Sequence, residues 1–184
     1  MNYLTKPLSL EHSQGKNDCG PCVTTMMLNY FLEERLTVPQ IVREMGPWRI
    51  PKLGATLPWG IVRTLRRHGL GTVGGWFGRL EDIKAHIDAD HPVIVLVRPT
   101  DLEGVPFFSL HYRVVVGYND INNGRALGGG ELFFNCSARS TTSESDSKHF
   151  GNLALGYTQF RRQWLTWVSI NWYVAAYPRK AGLG

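Results

Sequence analysis

The sequence has few cysteines and no long apolar run, and each of these shortages excludes a class of protein. Three cysteines in 184 residues are too few for a disulfide-stapled scaffold, and an odd number leaves at least one thiol unpaired. The longest purely aliphatic run, 93–97, is far shorter than the roughly 20 residues of a transmembrane helix. The first residues show no apolar core and no small-residue cleavage site, which predicts no secretory signal. We therefore expect a soluble, cytoplasmic protein without membrane insertion.

Neither sign of charge is in large excess. Lys and Arg together number 20, whereas Asp and Glu number 15, which gives a net charge of +5. The basic clusters over 63–67 and 161–162 fall in segments with helical periodicity. We interpret them as solvated helix faces and expect no nucleic-acid partner. Hydrophobic residues make up 43% of the chain, which is too much for a disordered protein.

The first half of the chain has the apolar spacing of helices. A helix is predicted from Cys19, because Pro21 suits a first helical turn and apolar residues follow with a helical period. These apolar residues are Val23, Met26, Met27, Tyr30 and Phe31. Further helices are predicted over 37–45, 56–69 and 80–87.

The second half changes to the pattern of strands. The β-branched run 93–97 predicts a strand buried on both faces, and strands are also predicted over 111–118, 131–135 and 172–177. Helices that precede strands with hairpin-like connections indicate an α+β fold with an antiparallel sheet.

Two segments of this half have the composition of turns, and one is rich in tryptophan. The Gly-rich stretch 124–130 and the Ser/Thr-rich stretch 137–148 predict exposed loops. Near the end, Phe160, Trp164 and Trp167 predict a short helix, and we interpret Trp164, Trp167 and Trp172 as core aromatics.

The length and this order of elements predict one domain over 1–184. It would comprise an N-terminal arm over 1–13, a mainly helical half over 14–90 and a mainly β half over 91–184.

Cys19 is the strongest candidate for a catalytic residue, because a polar segment enters an amphipathic helix at this position. Unpaired N–H groups at a helix start stabilise a thiolate, so we expect a lowered pKa for the thiol of Cys19. A thiolate is the nucleophile that acyl transfer needs. Gln14, a few residues upstream, could donate an amide N–H beside the backbone N–H of Cys19, and two such donors form an oxyanion hole.

A catalytic cysteine needs a base, and His111 at the start of a predicted strand is the best placed of six histidines. Asn135 ends the next predicted strand, so antiparallel pairing could bring its side chain beside His111 to orient the imidazole. The other histidines show no metal-ligand spacing, and we predict neither a metal site nor a cofactor.

Four segments resemble papain-like cysteine peptidases, and in particular the branch that includes the double-glycine leader peptidases of bacteriocin export. They are Gln14 with the Asp-Cys-Gly-Pro run at 18–21, the strand at 91–95, the His-Tyr-Arg-Val-Val-Val-Gly-Tyr run at 111–118, and Phe-Phe-Asn at 133–135. In that branch the orienting residue is usually Asp followed by Pro. Here Asn135-Cys136-Ser137 stands at this place, so either Asn135 or, one residue on, Cys136 corresponds to it.

The resemblance implies a helical half that carries Cys19, packed on an antiparallel sheet half that carries His111, with a cleft between the two. It implies cleavage of a peptide or isopeptide bond through a thioester with Cys19. A peptide or protein would be the substrate, and a role in export would need a separate transporter or biosynthetic partner.

Three alternatives stay open at this point. The same residues could support acyl transfer or deamidation, and the fold could serve as an inactive binding module. The run Cys19-Gly20-Pro21-Cys22 is also the active-site tetrapeptide of thioredoxins, in which Cys22 would be the resolving thiol. The polar segment before Cys19 does not favour this reading, because a thioredoxin site follows a buried strand.

Overall fold

The predicted helices are present, with small changes at their ends. The computed structural model describes residues 1–12, 17–32, 35–50, 53–100, 109–120, 129–138, 151–167 and 169–179. Its helices are α1 (Cys19–Phe31), α2 (Val38–Glu44), α3 (Pro58–Arg67), α4 (Leu80–Asp88) and α5 (Tyr157–Trp164), and a 3₁₀ turn covers Gly46–Trp48. None of them is long and apolar enough to span a bilayer, and the longest, α1, has 13 residues.

The strands of the described residues form one antiparallel sheet. They are β1 (Asn2–Tyr3), β2 (Leu70–Gly75), β3 (Val93–Val97), β4 (His111–Asn119), β5 (Glu131–Asn135), β6 (Leu153–Gly156) and β7 (Tyr173–Pro178). The order in this seven-stranded sheet is β2-β7-β3-β4-β5-β6, and β1 pairs with the far end of β4. This confirms the α+β class and the antiparallel pairing of the two strands at 111–118 and 131–135.

The centre of the sheet is covered on both faces. Every residue of β3 and β4 is buried, and successive side chains of a strand point to opposite faces. Helices α1 and α4 contact β4, whereas α5 contacts β3, β5 and β6. His111 at the start of β4 is therefore part of the most buried region of the molecule.

The structure also contains strands that the sequence pattern did not predict. The segment of β2 includes three glycines and has no clear alternation, yet all six of its residues pair with β7. Two further strands were not predicted: β1 lies in the predicted N-terminal arm, and β6 directly precedes α5.

The interpretation of Trp167 as a core residue is wrong, although Trp164 and Trp172 are buried. Helix α5 ends at Trp164, and the side chain of Trp167 is 80% exposed. Of the two predicted loops, residues 124–128 and 139–148 lie outside the described residues.

Candidate active site

Cys19 is the first residue of α1, as the sequence predicts. Asp18 is the N-cap residue, and its backbone carbonyl accepts the N–H of Cys22 at 2.9 Å. The carboxylate of Asp18 makes an ion pair of 2.7 Å with Arg49, which lies on the segment between α2 and α3. This contact joins the start of α1 to that segment.

Gly20 allows the same segment to approach the helix start closely. A β-carbon at position 20 would lie 2.5 Å from Cβ of Thr56, which is closer than packed carbon atoms can come. The backbone carbonyl of Thr56 in turn accepts a hydrogen bond of 3.0 Å from the hydroxyl of Tyr112 on β4. The start of α1, the segment around Thr56 and the start of β4 are thus packed together.

The thiol of Cys19 lies against the start of β4. Burial raises its pKa, whereas interactions with the backbone of Tyr112, Gly20 and Cys19 itself lower the pKa. Electrostatic interaction with Cys136 raises the pKa further, so the two thiols are neighbours. The pKa of this thiol is therefore raised, and not lowered as the sequence predicts, because burial outweighs the lowering by the backbone at the helix start. Such a thiol needs a nearby proton acceptor in order to ionise.

His111 is buried, with 9% of its surface exposed, and pairs with Val97 in the β-ladder. Its Nε2 lies 3.3 Å from Sγ of Cys136, the residue that follows β5. The thiol of Cys19 thus lies near Cys136 and near the backbone of Tyr112, the residue after His111, and Cys136 contacts His111.

Asn135 is close in sequence to this site, but its side chain is bonded elsewhere. It pairs with Val114 in the ladder, and its amide Nδ2 donates to the backbone carbonyl of Leu8 at 2.8 Å. Cys136 is the residue that contacts His111. Gln14, the predicted oxyanion donor, lies outside the described residues.

Cys22 lies one turn after Cys19 and is fully buried. Burial raises its pKa to about 12, and electrostatic interactions with Cys19, Asp18 and Glu11 add to the rise. All three cysteines are free thiols. A resolving thiol must reach its partner and ionise, whereas Cys22 is enclosed and its raised pKa keeps it protonated.

An apolar cavity of about 300 Å³ opens beside Cys19. Thr56 and Tyr112 line it together with large apolar side chains, namely Ile50, Leu57, Trp59, Trp76, Leu96 and Leu110. Trp59 and Trp76 are about half exposed, so the cavity is accessible from the surface. This composition suits an apolar group of a ligand next to the thiol.

No three His, Cys, Asp or Glu side chains are grouped to hold a metal ion within the part of the chain that the structure describes. The reactive groups at the site are the thiol of Cys19 and, around Cys136, the imidazole of His111.

A helix that starts with a cysteine and packs on an antiparallel sheet, next to a strand that starts with a histidine, is the architecture of papain-like cysteine peptidases. The fold and this pair of residues define the protein as a member of that class. The sequence profile of the Peptidase C39 like family matches residues 4–165, and the chain belongs to this family. No curated protein has significant sequence similarity to the chain.

Three solved structures illustrate the shared fold. The peptidase domain of Streptococcus ComA, a bifunctional ABC transporter involved in a quorum-sensing pathway, has a TM-score of 0.63 and 18% identity, over 94% of this chain and 99% of that one. A C39-like peptidase from Bacillus anthracis has a TM-score of 0.67 and 10% identity, over 97% and 98%. A double glycine motif protease from an AMS/PCAT transporter, solved in complex with the leader peptide, has a TM-score of 0.59 and 15% identity, over 97% and 99%.

Proposed function

We propose that the protein hydrolyses a peptide bond with Cys19 as the nucleophile and His111 as the general base. One observation carries the proposal: the thiol at the start of α1 lies against the backbone of Tyr112, which directly follows His111, and Cys19 and Tyr112 line the same cavity. Because Nε2 of His111 contacts Cys136, Nδ1 is the ring nitrogen assigned to the proton of Cys19. The raised pKa of Cys19 supports this assignment, since a thiol that water does not deprotonate readily needs such a base.

The reaction follows from these roles. The proton of the Cys19 thiol moves to His111 as Sγ attacks the carbonyl carbon of the scissile amide. The C–N bond then breaks, His111 protonates the leaving amine, and the acyl group stays on Cys19 as a thioester. Water attacks the thioester, gives a proton to His111 and releases the carboxylic acid, and the proton returns to Cys19. We propose the backbone N–H of Cys19 and the side-chain amide of Gln14 as donors to the oxyanion.

The proposed substrate is a peptide with an apolar side chain near the scissile bond. The cavity beside Cys19 supports this choice, because most of its lining is apolar. One structure with the same fold is a double glycine motif protease in complex with a leader peptide. We therefore propose leader-type peptides as substrates, supplied in the cytoplasm by a separate transporter or biosynthetic partner.

Substitution of the two proposed catalytic residues tests the function. We expect Cys19→Ala and His111→Ala to lower kcat/KM at least about a thousandfold on a fluorogenic peptide that ends in Gly-Gly at the reporter amide. His68→Ala is the matched control, because His68 pairs with Glu44 away from the site. Mass spectrometry of the wild-type protein with this peptide should find the acyl group on Cys19. Wild-type turnover by Cys19→Ala would disprove the proposal.

The acceptor of the acyl group separates hydrolysis from its alternatives. With hydrolysis, the product is a free carboxylate and added amines change nothing. An acyltransferase would form a new amide with an added amine, and a deamidase would leave the peptide backbone intact. An inactive module would form no acyl adduct and would show no faster alkylation of Cys19 than a free cysteine.

A further inference from the structure

The proposed function gives no role to Cys136, although its thiol contacts His111. Sγ of Cys136 lies 3.3 Å from Nε2 of His111, within the usual range for a hydrogen bond to sulfur. Cys136 is fully buried, whereas Cys19 is partly exposed and lines the cavity. The two thiols therefore have different roles, because a substrate can reach Cys19 and cannot reach Cys136.

The pairing of β4 and β5 explains why Cys136 takes this place. Val114 is opposite Asn135, so the next pair along the ladder would place Cys136 opposite Arg113. Side chains alternate between the faces of a strand, which puts Cys136 on the face of Arg113 and His111. Asn135 falls on the other face, where its amide binds the carbonyl of Leu8.

The backbone of Cys136 is held by a second residue, Asn152. The N–H of Cys136 donates to Oδ1 of Asn152 at 2.8 Å, and Nδ2 of Asn152 donates to the carbonyl of Cys136 at 2.9 Å. The N–H of Asn152 binds the carbonyl of Phe134 at 2.9 Å. These bonds fix the position of Cys136 although it lies beyond the end of β5.

We propose that Cys136 is the positioning residue of His111, and that it accepts a hydrogen bond from Nε2–H. A donor at Nε2 leaves the lone pair of the neutral ring on Nδ1, which is the tautomer that accepts a proton from Cys19. The acceptor also stabilises the imidazolium that forms after this transfer. Asn152 acts through Cys136 and supports its orientation. The inference rests on the proposed function and assigns the third residue of the same site.

Two substitutions of Cys136 separate the hydrogen bond from simple packing. Cys136→Ala removes the acceptor, and we expect kcat to fall about tenfold to a hundredfold with little change in KM. Cys136→Ser keeps an acceptor of similar size and should recover most of kcat. Asn135→Ala is the matched control and should leave kcat unchanged. Thermal unfolding of each variant tests whether the fold is retained. If Cys136→Ala does not fold, Cys136→Val replaces it in the comparison with Cys136→Ser.

A second readout needs no substrate. We expect iodoacetamide at neutral pH to alkylate Cys19 about tenfold more slowly in Cys136→Ala than in the wild type, and at nearly the wild-type rate in Cys136→Ser. This rate reports the pairing of Cys19 with His111 even if no tested peptide is cleaved, so failure of the proposed function is distinguishable from failure of this inference. The inference is overturned if Cys136→Ala keeps the wild-type alkylation rate and kcat. Equal losses in Cys136→Ala and Cys136→Ser would also overturn it.

Discussion

Cys19 reaches the site on a helix start that is held by side-chain contacts, whereas His111 is held by the backbone hydrogen bonds of a β-ladder. On the helix side, the ion pair of Asp18 with Arg49 and the close packing of Gly20 on Thr56 set the position of α1. On the sheet side, His111 pairs with Val97 in a continuous ladder.

The difference determines which substitutions each side tolerates. A β-ladder is made by groups that every non-proline residue carries, so a changed side chain leaves the backbone of the sheet in place. A close steric contact, in contrast, depends on the size of the two side chains. One added methyl group at such a contact must move one of the two packed segments. We therefore expect substitutions at the start of α1 to disturb the structure. Substitutions of side chains on the sheet should change catalytic rates while the fold is retained.

Gly20→Ala should have the largest effect of the substitutions that remove no chemical group. The new methyl group would overlap Thr56, so we expect the free energy of unfolding to fall by about 1–3 kcal/mol. Cys19 would move with the helix start, and kcat/KM should fall about a hundredfold, as displacements near 1 Å do in other enzymes. Chemical denaturation and peptide cleavage measure the two effects.

The double variant Gly20→Ala/Thr56→Gly is the control for this steric explanation. The hydroxyl of Thr56 has no hydrogen-bond partner among the described residues, so its removal breaks no bond there. We expect the double variant to recover most of the activity that Gly20→Ala loses. If the two substitutions are simply additive, the contact does not position Cys19.

Asn135→Ala should have a smaller effect, and only on stability. Loss of the amide leaves the buried carbonyl of Leu8 without this donor, so we expect the free energy of unfolding to fall by about 1–2 kcal/mol. The value of kcat should stay within about twofold of wild type, because Asn135 pairs with Val114, on the other face of β4 from His111, and its amide binds the carbonyl of Leu8. Asn29→Ala is a matched control, since Asn29 bonds the backbone of Leu36 far from the site. If kcat falls tenfold in Asn135→Ala but not in Asn29→Ala, Asn135 and not Cys136 orients His111.

Much of the fold could be predicted from the sequence, because helical and strand periods are local properties. Helix α1 begins at Cys19 as predicted, and β3 and β5 have their predicted bounds. Strand β2 could not be predicted, since its glycine-rich segment has little intrinsic preference for a strand and is stabilised by pairing with β7. The exposure of Trp167 depends on where α5 ends, which the apolar spacing did not show.

The candidate site was predictable only in part. The types and positions of Cys19 and His111 follow from local motifs, but which of Asn135 and Cys136 orients His111 depends on register. A β-bulge between Val115 and Gly117 shifts the pairing of β4 with β5, and a one-residue shift exchanges the two faces of a strand. The raised pKa of Cys19 could not be predicted from the sequence either, because burial by distant segments decides the direction of the shift.

Cys22→Ser should have the smallest effect, although Cys22 lies on the sensitive helix side. The change puts a hydroxyl at a buried position, and we expect the free energy of unfolding to fall by about 1 kcal/mol. Turnover under reducing conditions should stay within about twofold of wild type. Since the pKa of Cys22 is raised to about 12, its thiol stays protonated up to strongly alkaline pH.

Peptide mapping after treatment with iodoacetamide at pH 8 should therefore find the label on Cys19 and not on Cys22. Together with unchanged turnover in Cys22→Ser, this result would show that activity depends on the contacts of Asp18 and Gly20 at the start of α1, and not on Cys22. Loss of turnover in Cys22→Ser, with Cys19 still labelled at the wild-type rate, would instead favour dithiol chemistry at Cys19-Gly20-Pro21-Cys22. The fold makes that outcome unexpected, because a resolving thiol enclosed by the core cannot reach a mixed disulfide without local unfolding of α1.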